Sequence, residues 1–220
     1  APITYVGISP WVAAQLRGSP ITAGRPVEMI WNGINTRVFQ PMPRVEARRQ
    51  LGLDAQVGPL LLAEWRSPRS EPWKGFEHVI ELLPALRQMG ATLMLFGRVP
   101  PELVGMAQAE GVHNLGHIRD DALLRCVYAA ADVFVCPTLQ EAFGKTMAEA
   151  MACGTPVAAF AGSSPADLVE PGLTGVLATP GDRAALLQAI QVVLQQSDRL
   201  AAHCGERARQ RFGDTGCARA

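Results

Sequence analysis

Residues 133–160 read VFVCPTLQEAFGKTMAEAMACGTPVAAF, and this stretch determines the fold class of the chain. Val133–Pro137 and Pro156–Phe160 are short apolar runs typical of buried strands. Between them, Lys145–Ala152 has a helical composition and begins directly after a glycine. Two strands joined by a helix predict a parallel pair, because the helix carries the chain back along the sheet.

The same alternation of apolar runs and amphipathic stretches extends from about residue 59 to residue 196. Further strands are predicted at Leu60–Ala63, Thr92–Gly97 and His113–Gly116, and helices at His78–Arg87, Leu103–Glu110, Asp121–Ala130 and Arg183–Leu194. This order predicts the α/β class, with a doubly wound parallel sheet of the Rossmann-like kind. Ligands of such sheets bind outside the carboxyl ends of the strands, so the loops there are the expected ligand site.

The remaining parts of the chain do not read as a complete domain. Residues 1–38 supply one predicted helix and two predicted strands, which cannot bury both faces of a sheet. We expect four parts: residues 1–38 as the tail of another domain, 39–58 as a linker, 59–200 as the ligand-binding domain, and 201–220 as a truncated C-terminal segment.

Composition excludes several classes of protein. The 220 residues are 48% hydrophobic, which argues against a disordered chain. Twenty basic and twenty acidic residues give a formal net charge of zero, so nucleic acid is not an expected partner. No apolar run approaches the roughly 18 residues that a membrane span needs.

The cysteines and histidines do not suggest a metal site. The five cysteines form no CxxC pair, and the four histidines do not pair with them or with each other at helical spacing. We therefore expect reduced thiols and no metal.

The loop before the predicted helix at Lys145–Ala152 has the features of an anion site. The free amides from about Phe143 to Thr146 would face a ligand, and Gly144 would let a phosphate approach the backbone. Glu149, one turn into the helix, is placed to accept ribose hydroxyls, and Glu141 to accept hydroxyls beyond the phosphates. Taken without this context, two glutamates eight residues apart are usually solvated.

A second loop, EWRSPRSEPWKG at residues 64–75, follows the first strand of the ligand-binding domain. Its cations Arg66, Arg69 and Lys74 suit a diphosphate, although a solvated basic loop is the alternative. Lys74 and Lys145 are the only lysines in the chain. Both lie beside the predicted ligand edge, which favours the diphosphate interpretation.

These segments resemble the E-x7-E region of retaining glycosyltransferases with the GT-B fold, glycosyltransferase family 4. The resemblance rests on LQEAFG and EAMACGTPV, on AAADVFV before them, on WNGINTRVFQP at residues 31–41 and on KGF at residues 74–76. It covers nearly the whole chain, and it is strongest for members that build bacterial exopolysaccharides and lipopolysaccharides.

The resemblance implies a role for each matching residue. Glu141, Lys74 and Arg66 would be catalytic, with Glu141 holding hydroxyls of the transferred sugar. The remaining donor contacts would be Glu149 at the ribose, the amides of Ala142, Phe143 and Gly144, Lys145, the backbone near Ile118 at the base, and Arg69 as the alternative to Arg66.

Two departures from the family pattern are visible. Glu64 and Trp65 precede Arg66 where the family often has glycine directly before arginine. Ser163 and Ser164 replace a usual glycine pair after Phe160, which would alter contacts to the sugar.

The resemblance also implies an activity and a setting. The donor would be a UDP- or GDP-sugar, no metal or other cofactor would be required, and the anomeric configuration would be retained. The acceptor would be a glycan or a lipid-linked molecule, and the protein would be cytoplasmic, with peripheral attachment to the inner membrane as an option. Residues 1–38 would belong to the acceptor domain, so this chain alone is expected to be inactive.

Two other functions stay open at this stage. One is a nucleotide-sugar binding module without transfer activity. The other is a different GT-B enzyme, such as a sugar-nucleotide epimerase or a phosphorylase.

Overall fold

The computed structural model describes residues 3–53, 58–66, 70–99 and 112–213. Strands are β1 (Tyr5–Gly7), β2 (Val27–Met29), β3 (Leu60–Trp65), β4 (Thr92–Gly97), β5 (Val112–Asn114), β6 (Val133–Cys136), β7 (Val157–Phe160) and β8 (Gly175–Ala178). Helices are α1 (Pro10–Gly18), α2 (Arg44–Gln50), α3 (Phe76–Gln88), α4 (Asp121–Ala130), α5 (Lys145–Ala152), α6 (Ser164–Leu168), α7 (Arg183–Gln195) and α8 (Ser197–Phe212). The helix expected at Leu103–Glu110 lies outside the described residues.

Six strands form one parallel sheet in the order β5-β4-β3-β6-β7-β8. From β3 the chain winds outward to β5, then returns to β6 and winds the other way. The strand order therefore reverses between β3 and β6, where a crevice opens at the carboxyl edge. The predicted doubly wound α/β fold is confirmed.

Alternation along the strands builds a core on each face of this sheet. In β3, Leu60 and Leu62 join a cluster formed with α4, α5 and α8, while Leu61, Ala63 and Trp65 join a second cluster with α3 and α7. Successive side chains of a strand point to opposite faces, so an uninterrupted apolar run serves both cores.

Several elements agree with the sequence prediction and several do not. The bounds of β4, α4 and α5 are as predicted, whereas β3 continues two residues further and β5 begins and ends earlier. Two short elements, α6 and β8, and the long helix α8 were not predicted. In α8 the buried residues recur at every fourth position, Leu200, Cys204, Ala208 and Phe212, among charged neighbours that hide the pattern.

The first residues of the chain form a small unit that packs onto the rest. Strands β1 and β2 pair in parallel, and Ser9 caps α1 by accepting the amide of Val12. The amide of Trp11 donates to the carboxylate of Asp167 in α6, and the amide of Ile34 donates to the carbonyl of Phe212 in α8. The division of the chain into four parts stays a prediction.

The carboxylate of Asp132 links helix α2 to the starts of β3 and β6. Asp132 accepts hydrogen bonds from the amide of Leu60 and from Arg48, both at 2.7 Å, and its other oxygen lies 2.9 Å from Arg44. Its side chain is only 13% exposed. Removing one partner from such a network leaves buried charges uncompensated.

We expect Asp132→Asn to lower the free energy of unfolding by about 3 kcal/mol, because both arginines lose their buried anion. Chemical denaturation measures this change. The control is Asp198→Asn, since Asp198 also pairs with Arg44 but is 94% exposed, and its loss should cost under about 0.5 kcal/mol. Equal effects of the two substitutions would contradict this role for Asp132.

Candidate functional site

The loops after β3 and β6 enclose a pocket at the carboxyl edge of the sheet, at the point where the strand order reverses. Arg66, Lys74, Glu141 and Gly144 in its lining are site residues predicted from the sequence. The lining consists of Glu64, Arg66, Lys74, Glu141, Gly144 and Thr146, together with residues 134–138.

Lys74 and Glu141 meet across this pocket. Lys74 Nζ lies 2.5 Å from Glu141 Oε2, and both side chains are about four-fifths buried. The lysine ends a short 3-10 turn, whose Trp73 carbonyl accepts the amide of Leu139. Next, Gly75 has φ 63°, and a Cβ there would lie 2.1 Å from the carbonyl oxygen of Pro137. The two loops are thus locked together, and only glycine fits at their junction.

The loop at residues 141–144 is held from three directions. The amide of Glu141 donates to Ser163 Oγ at 2.8 Å, and the amide of Ser164 donates to the Glu141 carbonyl at 3.3 Å. The carbonyl of Ala142 accepts the hydroxyl of Ser9 at 2.7 Å. The serine pair that departs from the family pattern therefore fixes the backbone of Glu141.

The third support of this loop is a cluster of aromatic side chains. Phe143 is buried, and its ring centroid lies 5.6 Å from that of Phe212 and 6.2 Å from that of Trp31. The Arg211 guanidinium stacks 5.1 Å above the Trp31 ring. Tilted and edge-on packing of this kind stabilises aromatic clusters. This cluster ties the loop to α8 and to the segment after β2.

Helix α5 begins at the mouth of the pocket. Gly144 precedes it with φ 84°, in the left-handed region, and no side chain among the described residues caps this helix start. The first amides of a helix lack partners within it, and the helix dipole adds positive potential there. The start of α5 thus has the geometry that an anion site needs, and the anion site itself stays a prediction.

Glu149 lies one turn further along α5 and is almost fully buried, with 4% of its side chain exposed. The Tyr128 hydroxyl donates to Glu149 Oε2 at 3.0 Å, and Lys145 Nζ lies 3.3 Å from Oε1. Burial raises the pKa of Glu149 above its usual value, although Lys145 and Tyr128 oppose the rise. Burial, together with the Glu149 charge, raises the pKa of Tyr128 well above 10, so its hydroxyl remains a donor.

Two residues missed by sequence reasoning line the same pocket. Glu64 accepts the Thr146 hydroxyl at 3.1 Å and lies 2.7 Å from Arg66. The strand alternation indicates where Glu64 points: it continues the series Leu60, Leu62 on the face of β3 that α5 covers.

The other predicted site residues occupy different places. Arg69 lies outside the described residues. Ile118 follows β5 and is partly buried against the core cluster that contains Tyr128, and it is not among the residues lining the pocket.

The described ranges contain no group of three or more metal-ligating side chains close enough to hold an ion. None of their helices combines the length and apolar character needed to cross a membrane.

A family profile described as "Glycosyl transferases group 1" matches residues 66–196, which is more than half of the chain. The chain belongs to this family. The match includes α5, the loop before it and every residue that lines the pocket except Glu64.

Curated relatives of this group 1 glycosyltransferase are similar over most of its length. The D-inositol 3-phosphate glycosyltransferase of Actinosynnema mirum is 33% identical over 177 residues, which cover 75% of this chain and 42% of the relative. The phosphatidyl-myo-inositol mannosyltransferase of Mycobacterium leprae is 31% identical over 172 residues, covering 74% and 43%. The chain thus spans less than half of these relatives.

Solved structures show the same architecture. Sucrose-phosphate synthase from Thermosynechococcus elongatus has a TM-score of 0.82 at 32% identity, covering 98% of this chain and 55% of that one. Anabaena HepE in complex with UDP and glucose has a TM-score of 0.73 at 27% identity, covering 94% and 58%. The six-stranded sheet of this group 1 glycosyltransferase is accordingly a Rossmann-like domain of the GT-B fold.

The buried charge of Glu149 predicts a stability effect with a definite sign. Because its pKa in the folded state is above the unfolded value near 4.5, folding favours the protonated form, and stability falls as pH rises from 4.5 through the folded-state pKa. We expect Glu149→Gln to leave the unfolding midpoint unchanged at pH 4, to raise it as pH passes through the folded-state pKa, and to keep that gain up to pH 8. Thermal unfolding across this range measures the difference. A Gln variant less stable at pH 8 than the native chain would contradict the assignment.

Proposed function

We propose that this chain is the donor-binding part of a retaining glycosyltransferase of family 4. It would transfer a hexose from a UDP- or GDP-sugar to a glycan or lipid-linked acceptor in the synthesis of a bacterial surface polysaccharide. The single observation that carries the proposal is the pocket where Lys74, Arg66 and the free start of α5 meet Glu141. Membership in the group 1 glycosyltransferases agrees with it, and the HepE structures were solved with UDP and UDP-glucose.

The diphosphate of the donor would bind at the start of α5. The helix amides and the dipole favour an anion there, and Gly144 leaves room for it. Lys74 and Arg66 would turn from their carboxylate partners toward the phosphates, and Lys145, at the first position of α5, would add a further cation. Arg69 would share the role of Arg66.

These cations would also act during the reaction. As the glycosidic bond breaks, negative charge gathers on the leaving diphosphate, and positive groups already in place stabilise it. This assignment uses side chains and amides alone, and the proposal includes no required metal or other cofactor.

Glu141 would orient the transferred sugar. Its carboxylate lies at the pocket wall, with its backbone fixed by Ser163 and Ser164, so its oxygens are held ready for hydroxyls. A sugar held in this way exposes its anomeric carbon to the acceptor on the leaving-group side, which retains configuration. Ala142 and Phe143 would supply backbone contacts in the same loop.

Glu149 would bind the ribose. The Tyr128 hydroxyl donates to Glu149 Oε2, and the exposed Lys145 contacts Oε1. A ribose hydroxyl would therefore bind Oε1 by displacing Lys145. The base would lie beyond the ribose, against the backbone near Ile118. For the full protein we propose a cytoplasmic location, with peripheral contact to the inner membrane when the acceptor is lipid-linked.

The test is a binding screen followed by product analysis. Isothermal titration of this chain with UDP, GDP and their sugars should give saturable binding, and NMR of the product made by the full-length enzyme should show a retained anomer. Absence of binding to every nucleoside diphosphate, or an inverted product, would overturn the proposal.

We expect Lys74→Met to weaken UDP binding roughly 10- to 100-fold and to leave uridine binding nearly unchanged, because the lysine charge reaches only the phosphates. Titration with both ligands separates the two effects. The exposed Arg199→Met at the start of α8 controls for loss of one positive charge. Equal losses for UDP and uridine would place Lys74 away from the diphosphate.

Glu149→Ala should behave differently from the lysine variant. Loss of hydrogen bonds to a charged acceptor should weaken uridine and UDP alike, by roughly 10- to 150-fold. The exposed Glu206→Ala serves as the matched control. An unchanged affinity in a folded Glu149→Ala variant would refute the ribose assignment.

A further inference from the structure

Glu64 places a negative charge where the phosphates of a donor would bind. It is the fifth residue of β3, a strand flanked by β4 and β6, and strand alternation points it toward α5. Its side chain is 21% exposed, and the exposed part faces the pocket. A carboxylate in an anion-binding pocket opposes the ligand's charge, so its presence calls for a physical reason.

The contacts of Glu64 engage two groups that would otherwise be available to the ligand. Its Oε1 lies 2.7 Å from Arg66 Nη2, and its Oε2 accepts the hydroxyl of Thr146 at 3.1 Å. Thr146 is the second residue of α5, beside the free amides. Glu64 therefore bridges the diphosphate-binding loop and the helix start.

The charges that line the pocket balance. Glu64 pairs with Arg66 as Glu141 pairs with Lys74, so the four side chains sum to a formal charge of zero. An entering diphosphate must compete with a carboxylate for each of these two cations. Like charges repel more strongly at a partly buried site than in water, and the repulsion increases with the charge of each group. Competition with the carboxylates is therefore stronger for a ligand that carries more negative charge.

We propose that Glu64 sets the discrimination between donor and product by opposing the more highly charged nucleoside diphosphate. This inference rests on the proposed function. A nucleotide sugar has its terminal phosphate esterified, whereas the released nucleoside diphosphate has a free terminal phosphate with a second ionisation near pH ~6. At pH 8 the product carries the extra charge, which Glu64 repels, and release of the product is favoured over release of the donor.

The experiment compares UDP with UDP-glucose on the native chain and on Glu64→Gln at pH 8. Glutamine keeps the shape and still accepts the Thr146 hydroxyl, but it removes the charge. We expect the UDP dissociation constant to fall about 10-fold and that of UDP-glucose about 3-fold, so that their ratio shifts toward UDP. The ratio is insensitive to partial unfolding, because both ligands bind the same folded fraction.

The matched control is Glu71→Gln. Glu71 is the other carboxylate near Arg66, at 3.9 Å, and it is not among the residues lining the pocket. Its substitution removes the same charge at greater distance and should leave the ratio within about twofold of the native value.

The outcomes separate this inference from the function on which it rests. Failure of the native chain to bind either ligand would defeat the proposed function. Native binding with an unchanged ratio in Glu64→Gln would overturn the role of Glu64 alone. Weaker UDP binding in the variant would also overturn it, because that result would make Glu64 a support that positions Arg66 for the phosphates.

Discussion

The turn from β6 into α5 is the constraint on which the rest of the site depends. Strand β6 ends at Cys136, residues 137–144 form a loop, and α5 begins at Lys145 with first amides that have no partner within the helix. Gly144, directly before α5, adopts φ 84°. Any residue with a side chain would be strained there, and its Cβ would lie 2.9 Å from Met147 Cε. The direction of α5 relative to the sheet fixes both the position of its free amides, where the anion site is proposed, and the buried position of Glu149 one turn later.

The surrounding structure keeps this turn in one conformation. Ser163 and Ser164 bind the backbone of Glu141 from one side, and Ser9 binds the carbonyl of Ala142 from the other. Behind the loop, Phe143 packs against aromatic rings contributed by residues more than 65 positions away in the chain. A site built on rigid supports loses less entropy when a ligand binds. Lys74 and Arg66 each pair with a carboxylate that lines the pocket, and these pairs restrict both cations.

Sequence reasoning succeeded where local pattern and local chemistry agreed. The bounds of α4, α5 and β4 follow from apolar periodicity, and the positions of Gly144 before α5 and of Glu149 one turn into it follow from the loop-to-helix pattern. It failed where the decisive contacts are long-range. Helix α8 carries six charged residues among its sixteen, and only its contact with the core reveals why Phe212 is buried. The tie from Ser163 to Glu141 spans 22 residues, and no spacing rule foresees it. Strand alternation and the departure from the family pattern both mark Glu64, but its partner Thr146 is 82 residues away, so spacing does not predict the contact between them.

The crystal structure of this chain with UDP-glucose tests the central claim most directly. The account predicts the diphosphate at the start of α5, within hydrogen-bonding distance of the Gly144–Thr146 amides, with Lys74 Nζ moved from Glu141 to a phosphate oxygen. It also predicts the ribose on Glu149 and the glucose hydroxyls on Glu141. A diphosphate bound elsewhere, with the Lys74–Glu141 pair intact, would contradict it.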